Sequence, residues 1–286
     1  MKTIDTLVPD MKNVLLGLGG WDAALTKYLS ETIAEVASNR FSEPQAPRGY
    51  LSMSSLGDSC DRSLWYKVNK PELSEPLDAE ALGTFFYGDI IEAFALALAK
   101  AAGHKVEGEQ TQMNINGIKG HRDAVIDGMT VDVKSASPFG FKKFKEGTLR
   151  SEDSFGYISQ LSSYVFAGKD DPLVVDKERG AFLAIRKDRF DLALDIYDFS
   201  EDLPWKEAEV ERKKALVEGG IPSERLKPIP QSKTSKNTKL PIKCGYCSFR
   251  ETCWPEARTF IYSTGPVFLV DVKSEPKVPE VGREQN

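Results

Sequence analysis

Apolar residues recur at spacings of three and four through Leu25, Tyr28, Leu29, Ile33 and Val36, the period of a single helix face. This pattern predicts helix over 11–39, interrupted or divided by the GLGG at 17–20. A Pro-bearing connector covers 41–50. A short helix is expected within SSLGDSCDRSLWYKV, capped by Asp58 or Ser59. PELSEPLDAEAL is expected to be a loop leading into a helix over 83–102, which Gly103 stops. The period then changes. KVEGEQTQMNI, GHRDAVID and TVDVKSAS are short runs separated by Asn116-Gly117 and Asp127-Gly128, both hairpin signals. Three antiparallel strands are therefore expected, followed by a helix over 153–167 and two strands, RGAFLAIRK and FDLALDIYDF. A polar helix is predicted over 202–219, a Pro- and Lys-rich irregular stretch over 220–243, and a final edge strand at VFLVDVK, 267–273. The last residues, SEPKVPEVGREQN, read as a disordered tail. No internal repeat is found.

This succession predicts a mixed α/β (α+β) fold, a mixed sheet flanked by helices. The expected division is a helical N-terminal segment over 1–45, a core domain over 46–256, and a C-terminal strand and tail over 257–286.

Composition narrows the class. With 41% hydrophobic and 28% charged residues, neither disorder nor a fibrous repeat describes the whole chain. The apolar runs fall short of the roughly 18 residues that would span a bilayer. MKTIDTLVPDMKN lacks the apolar run of a secretory signal. A soluble, cytoplasmic protein with no membrane partner is the expectation. The formal net charge is −5, which argues against a histone-like binder but leaves room for a basic groove on an acidic body.

The four cysteines are Cys60, Cys244, Cys247 and Cys253, the last three as C-x2-C-x5-C in KCGYCSFRETCWP. Clustered thiols in a cytosolic protein suggest metal before disulfide. Four thiolates suit tetrahedral zinc or an iron–sulfur cluster, and spacing alone does not separate the two.

The second chemical signal is Gly120-His121-Arg122-Asp123 followed by Asp132-Val133-Lys134. Side chains alternate along a strand, so Asp132 and Lys134 share a face. Asp123, read as lying in the facing strand, can approach them across the Asp127-Gly128 turn. Oxygen ligands of this kind hold Mg²⁺ or Mn²⁺. A neighbouring lysine can orient or help deprotonate water, as metal-assisted phosphodiester hydrolysis requires. The competing reading is a solvated hairpin face with a cross-strand ion pair. Glu92 in the preceding helix, and Gln160 and Tyr164 one helical turn apart in the following one, add to the set. Asp127 is read as a turn residue with a local backbone role.

The order GDIIE, GHRD, DVK and QLSSY resembles the RecB-type nuclease domains of the PD-(D/E)xK superfamily, whose pattern is G-x-x-x-(H/E), G-x-x-D, (D/E)-x-K and Q-x-x-x-Y. One cysteine before the core and C-x2-C-x5-C after it is similar to the iron–sulfur branch. That branch includes CRISPR-associated RecB-like exonucleases, their phage relatives and the AddB subunit of helicase–nucleases. The likeness runs from about residue 50 to 256. Glu92 stands where His is often found, and Arg122 where the superfamily's Pro would be. No Walker A pattern is present, so a helicase–nuclease fusion is not expected. The resemblance implies a restriction-endonuclease-like core. In it, Glu92, Asp123, Asp132 and the Val133 carbonyl would ligate the divalent metal, Lys134 would position water or stabilise negative charge, and Gln160 and Tyr164 would orient phosphate or lysine. It also implies one [4Fe–4S] cluster on Cys60, Cys244, Cys247 and Cys253, pinning the C-terminal segment to the N-terminal one.

Two basic stretches are candidate DNA contacts. One holds Lys134, Lys142, Lys143, Lys145 and Arg150, interleaved with Phe139, Phe141 and Phe144; the other is the acid-free run of Arg225, Lys227, Lys233, Lys236, Lys239 and Lys243. Lysines would track phosphates and a phenylalanine could stack on an unpaired base. The leading expectation is a metal-dependent DNA exonuclease acting on single-stranded ends, phage-borne or cellular. Protein partners in recombination, genome processing or CRISPR adaptation are open, as is oligomeric state. The rival is a non-catalytic zinc- or cluster-bearing DNA-binding or assembly subunit, which the intact acidic set disfavours. A restriction- or repair-type endonuclease is a third reading, without a target-recognition segment in this sequence to support it.

Overall fold

The computed structural model describes residues 2–42 and 47–282. Part of the predicted 41–50 connector and the last four residues of the predicted tail lie outside them. In chain order the helices are α1 (Leu7–Leu15), α2 (Ala23–Phe41), α3 (Met53–Leu56), α4 (Asp61–Asn69), α5 (Ala79–Ala101), α6 (Pro138–Glu146), α7 (Leu149–Glu152), α8 (Tyr157–Ala167), α9 (Lys206–Glu218), α10 (Ile242–Gly245) and α11 (Arg250–Cys253). The strands are β1 (Val106–Glu107), β2 (Thr111–Ile115), β3 (Ile118–Arg122), β4 (Ala124–Ile126), β5 (Met129–Ala136), β6 (Arg179–Arg186), β7 (Leu192–Asp198), β8 (Ile229–Pro230), β9 (Thr238–Lys239), β10 (Arg258–Tyr262), β11 (Gly265–Asp271) and β12 (Glu280–Val281). The fold is α+β, with mixed sheets flanked by helices.

Packing divides the chain into two units interleaved in sequence. The first comprises 1–46, 51–57 and 78–214; the second comprises 47–50, 58–77 and 215–286.

In the first unit a five-stranded sheet runs β1-β4-β5-β6-β7. Only β5 and β6 are parallel; the other pairs are antiparallel. Alternation along the strands sorts the core into two layers. Val131, Val133, Ala181, Leu183 and Ile185 pack with α1 and α5. Ala136, Phe182, Ala184 and Tyr197 pack with α6 and α8. Asp132 and Lys134 therefore point to the α6–α8 side of the central strand. α5 begins earlier than the sequence pattern predicts because Asp78 caps it, accepting a hydrogen bond from Ala81 N at 2.7 Å. It is long and apolar enough to cross a membrane by length and composition. Its second half, with Ile91, Ala95, Leu96, Leu98 and Ala99, is buried in the core. The 11–39 segment is two helices, α1 starting at Leu7 and α2 at Ala23 with Asp22 as its cap.

Both predicted hairpin turns form. Asn116 and Gly117, and Asp127 and Gly128, all have positive φ, which is what type I′ turns require. The three-strand sheet does not form, however: β2 and β3 pair as a separate two-stranded sheet. The GHRDAVID run breaks at Asp123, which belongs to neither β3 nor β4. Arg122 is fully buried and bonded to Asp171 at 2.9 Å, and Asp123 O accepts from Gln110 N; together they turn the chain from one sheet to the other. The predicted 153–167 helix starts at Tyr157, preceded by α6 and α7, which the basic stretch concealed.

The second unit carries a sheet in the order β12-β10-β11-β9-β8. VFLVDVK is thus its central strand, not an edge. The expected disordered tail is ordered at Glu280–Val281, which pair with β10 while Glu280 bonds Arg258 at 2.6 Å. The short predicted helix around Cys60 is α4, with Cys60 itself at the cap position.

Candidate active site and thiol cluster

The central strand builds the acidic site. β4 ends at Ala124, opposite Val131, so the flank of β5 beyond that point has no strand partner on this side. Asp123 fills the gap: its Oδ2 accepts the Val133 N–H at 2.7 Å. The N–H and C=O of a strand residue point the same way, so the Val133 carbonyl also faces this open flank. Asp132, buried to 1% exposure, pairs with Lys134 through the same Oδ2 that accepts no well-formed hydrogen bond. Glu92 arrives from α5, on the opposite layer, and accepts from Gln110 Nε2 at 2.6 Å.

Electrostatics ties these groups into one site. Burial pushes the Glu92 carboxyl up to about 7, with the Asp132 charge adding to it. Burial likewise holds Asp123 well above the usual carboxylate range, reinforced by Asp132 and then Glu92. Burial opposes the charge on Lys134, but Asp132 and Asp123 outweigh it and raise its pKa. Lys134 is thus held as an ammonium against Asp132. Tyr164 is buried on α8, pushed up to about 12 by desolvation, with Gln160 against its hydroxyl. The structure thus brings together all six side chains singled out from the sequence.

Two contributors were not foreseen. Tyr157 lies with its ring 5.1 Å from Lys134 Nζ. It precedes Gln160 by three residues and Tyr164 by seven, on the same helix face, so the helical period could have revealed it. Gln110 sits in an irregular bend with φ +49°, for which no sequence signal exists. The glycines of the two motifs have packing reasons. A Cβ on Gly120 would stand 2.7 Å from buried Met53, and one on Gly88 would press against Ser135 Oγ at 3.2 Å. Asp127 is outside the site. Its Oδ2 contacts His104 Nδ1 at 2.6 Å and its Oδ1 accepts from Lys105 N at 3.0 Å.

The thiols occupy the second unit. Cys60, Cys244, Cys247 and Cys253 line one small cavity, walled by Tyr66, Phe249 and Trp254. Asp58 fastens the two ends. It accepts from Cys60 N at 3.0 Å and pairs with Lys67 at 2.8 Å and with Lys243, beside Cys244, at 3.2 Å. Burial alone would raise the Asp58 carboxyl, but these lysines hold it below its ordinary value. Burial and the other three sulfurs push the Cys244 thiol up to about 12, and burial raises Cys60 as well. Leu240, Cys244 and Trp254 form a small core with Phe268 and Val270.

Among the described residues, no group of three or more His, Cys, Asp or Glu side chains is arranged to hold a metal ion as it stands. In the acidic site the carboxylates are turned onto Lys134, Gln110 and the Val133 amide.

The basic stretches are only partly free. Phe141 and Phe144 are buried, whereas Phe139 is 69% exposed. Lys142 and Lys145 are exposed, Lys143 is tied to the Glu152 carbonyl at 2.8 Å, and Arg150 is bonded to Asp202. Arg225 lies over Trp254 and pairs with Glu256. Lys233 and Lys236 are exposed on a loop closed by the buried Asn237, and Lys239 is half-buried.

No protein-family model and no curated protein matches this sequence. Among solved structures, one described as "Crystal structure of SSO0001" is similar at 18% identity and a TM-score of 0.38, over 79% of this chain and 94% of its own.

Proposed function

We propose that this chain is a divalent-metal-dependent DNA exonuclease of RecB type in the PD-(D/E)xK superfamily, cytoplasmic and acting on single-stranded ends. The observation that carries the reading is the convergence of Glu92, Asp123 and Asp132 on Lys134 at the open flank of β5. One buried and two half-buried carboxylates against one ammonium are short of positive charge, and Asp132 Oδ2 lacks a well-formed hydrogen bond. A hard dication satisfies both deficits. Glu92, Asp123, Asp132 and the Val133 carbonyl would hold Mg²⁺ or Mn²⁺. When bound, that ion supplies Lewis-acid activation of the phosphate and a more acidic water. Lys134 stabilises the charge that develops on the phosphate oxygens. Tyr157 and Tyr164, with Gln160, fix the ammonium and exclude bulk water from its far side.

The four sulfurs are the candidate ligands of a second group. Like charges around one small cavity disfavour four thiolates without a cation, and coordination relieves that repulsion. The assignment is a structural [4Fe–4S] cluster, with zinc as the competing occupant. Recombination, genome processing and CRISPR adaptation are the processes in which such an enzyme would meet partners.

The test is digestion of end-labelled single- and double-stranded DNA with Mg²⁺ or Mn²⁺. Asp132→Ala and Lys134→Ala should each lower cleavage by about two to four orders of magnitude while folding is retained. Undiminished cleavage in the Asp132 variant would overturn the assignment.

A further inference from the structure

The carboxyl-terminal end of β5 carries exposed groups that the hydrolytic site does not use. Phe139 stands at the second position of α6, five residues after Lys134, and is 69% exposed. The Lys143 ammonium lies 5.2 Å from its ring centroid, and Lys142 is exposed on the same helix face, three residues on. On the other layer, Phe85 is 47% exposed. It lies seven residues before Glu92 and so shares its face of α5, about 10 Å away along the axis. Gly88, between them, packs against Ser135 at the end of β5. Phe85 and Phe139 therefore bracket the end of the strand that bears Asp132 and Lys134, one from each layer. Lys187 follows the adjacent strand β6. Its N–H bonds the Ala136 carbonyl, and Tyr87 of α5 donates to its carbonyl at 3.2 Å. It forms no ion pair among the described residues, and burial lowers its pKa.

Exposed aromatic rings are costly in water and are not explained by packing here. Their company also differs from that of an ordinary apolar patch. A cation lies beside Phe139, and a phosphodiester-cleaving site is proposed within one strand's length. We propose that Phe85 and Phe139 are stacking platforms for unpaired bases on either side of the scissile phosphate, with Lys187 holding a neighbouring phosphate. The inference rests on the nuclease reading and specifies its substrate as single-stranded DNA. A duplex keeps its bases stacked on each other and offers no face to either ring. Stacking is sequence-tolerant because every base has a π-face, so this rim would select strandedness rather than sequence.

The experiment uses the full chain in EDTA with a single-stranded DNA oligonucleotide carrying 2-aminopurine, whose fluorescence is quenched on stacking. Wild type should quench the probe and bind it more tightly than the matching duplex. Phe139→Ala and Phe85→Ala should each lose part of the quenching and bind about tenfold or more weakly, while Phe139→Trp should restore both. Lys187→Gln should reduce the salt slope of binding by about one counterion. Unfolding is not a concern at a ring as exposed as Phe139, and circular dichroism of each variant checks it. Wild-type affinity and quenching in both alanine variants would overturn the platforms. If wild type still cleaves the strand with Mn²⁺, that failure leaves the nuclease reading standing. If wild type neither binds nor cleaves it, the nuclease reading falls and the platforms with it.

Discussion

The acidic site and the thiol cluster both gather like charges from separate elements, yet they are assembled in opposite ways. The carboxylates are placed around one sheet: Asp132 by β5, Asp123 by the break between β3 and β4, and Glu92 by the helix packed behind. The thiols come from the two ends of a chain excursion, Cys60 on one side of the first unit's main segment and Cys244 to Cys253 on the other. The first arrangement needs no metal to bring its members together, because ladder hydrogen bonds and core packing do so. The second closes a long loop, secured by Asp58, the Arg250–Glu75 ion pair, a small core and the thiols themselves. One site therefore concerns chemistry on a rigid frame and the other concerns joining the two distant stretches of chain that make up the second unit.

The sharpest way to break this contrast is to exchange the phenotypes. Cys247→Ala and Cys60→Ala should lose the metal group and its absorbance. They should melt roughly 10 °C or more below wild type and become protease-sensitive within 215–282. Anaerobically purified wild type should absorb broadly near ~400 nm if the occupant is iron–sulfur; stoichiometric zinc in colourless protein would change the occupant but keep the site. A Cys60→Ala protein with unchanged metal content and melting would show that Cys60 is not a ligand. Asp132→Ala should show the reverse pattern, with cleavage lost and the melting temperature little altered.

A smaller effect lies in the pH dependence of the metal-free acidic site. Glu92 has its folded pKa raised to about 7 from an ordinary 4.5. The folded state therefore binds more protons than the unfolded state between those values, and stability falls as pH rises through that window. The loss attributable to Glu92 is up to about 3 kcal/mol. Urea melts of the metal-free protein at pH 5 and 7.5 should show it, and Glu92→Gln should flatten it. An unchanged slope in the variant would mean that Glu92 is not the group under strain.

The smallest expected effect separates Asp127 from the site. Asp127→Ala removes one of the two carboxylate partners of a fully buried His104 ring, at about 1–3 kcal/mol of stability. Asp127→Asn should lose less, since Asn tolerates the positive φ that position adopts. Metal-dependent cleavage should survive in both. Loss of cleavage as deep as in Asp132→Ala would mean that the acidic constellation has been drawn around the wrong aspartate.

Much of this was legible because the relevant spacings are local. Alternation placed Asp132 and Lys134 on one face, and the two glycine dipeptides marked their turns. What escaped depended on distant partners. The break at Asp123 is imposed by Arg122 bonding to Asp171, about fifty residues on, so the run GHRDAVID looks continuous. α6 was hidden because its lysines drew the eye, although Phe141 and Phe144 at a spacing of three supply its buried face. β11 looked like an edge because its neighbour β9 is a two-residue strand, too short for any periodicity. β12 is held by the Arg258–Glu280 pair, which no local pattern announces.

The central claim is that the carboxylates on the open flank of β5 form a divalent-cation site. Titration of Mn²⁺ into the protein, followed by loss of the free-ion electron paramagnetic resonance signal, tests this without relying on turnover. Wild type should bind Mn²⁺ at this site, and Asp132→Asn and Glu92→Gln should each weaken or abolish that binding, whereas Asp127→Asn should not. Mn²⁺ binding of equal strength in wild type and the Asp132 and Glu92 variants, or none in wild type, would contradict the account.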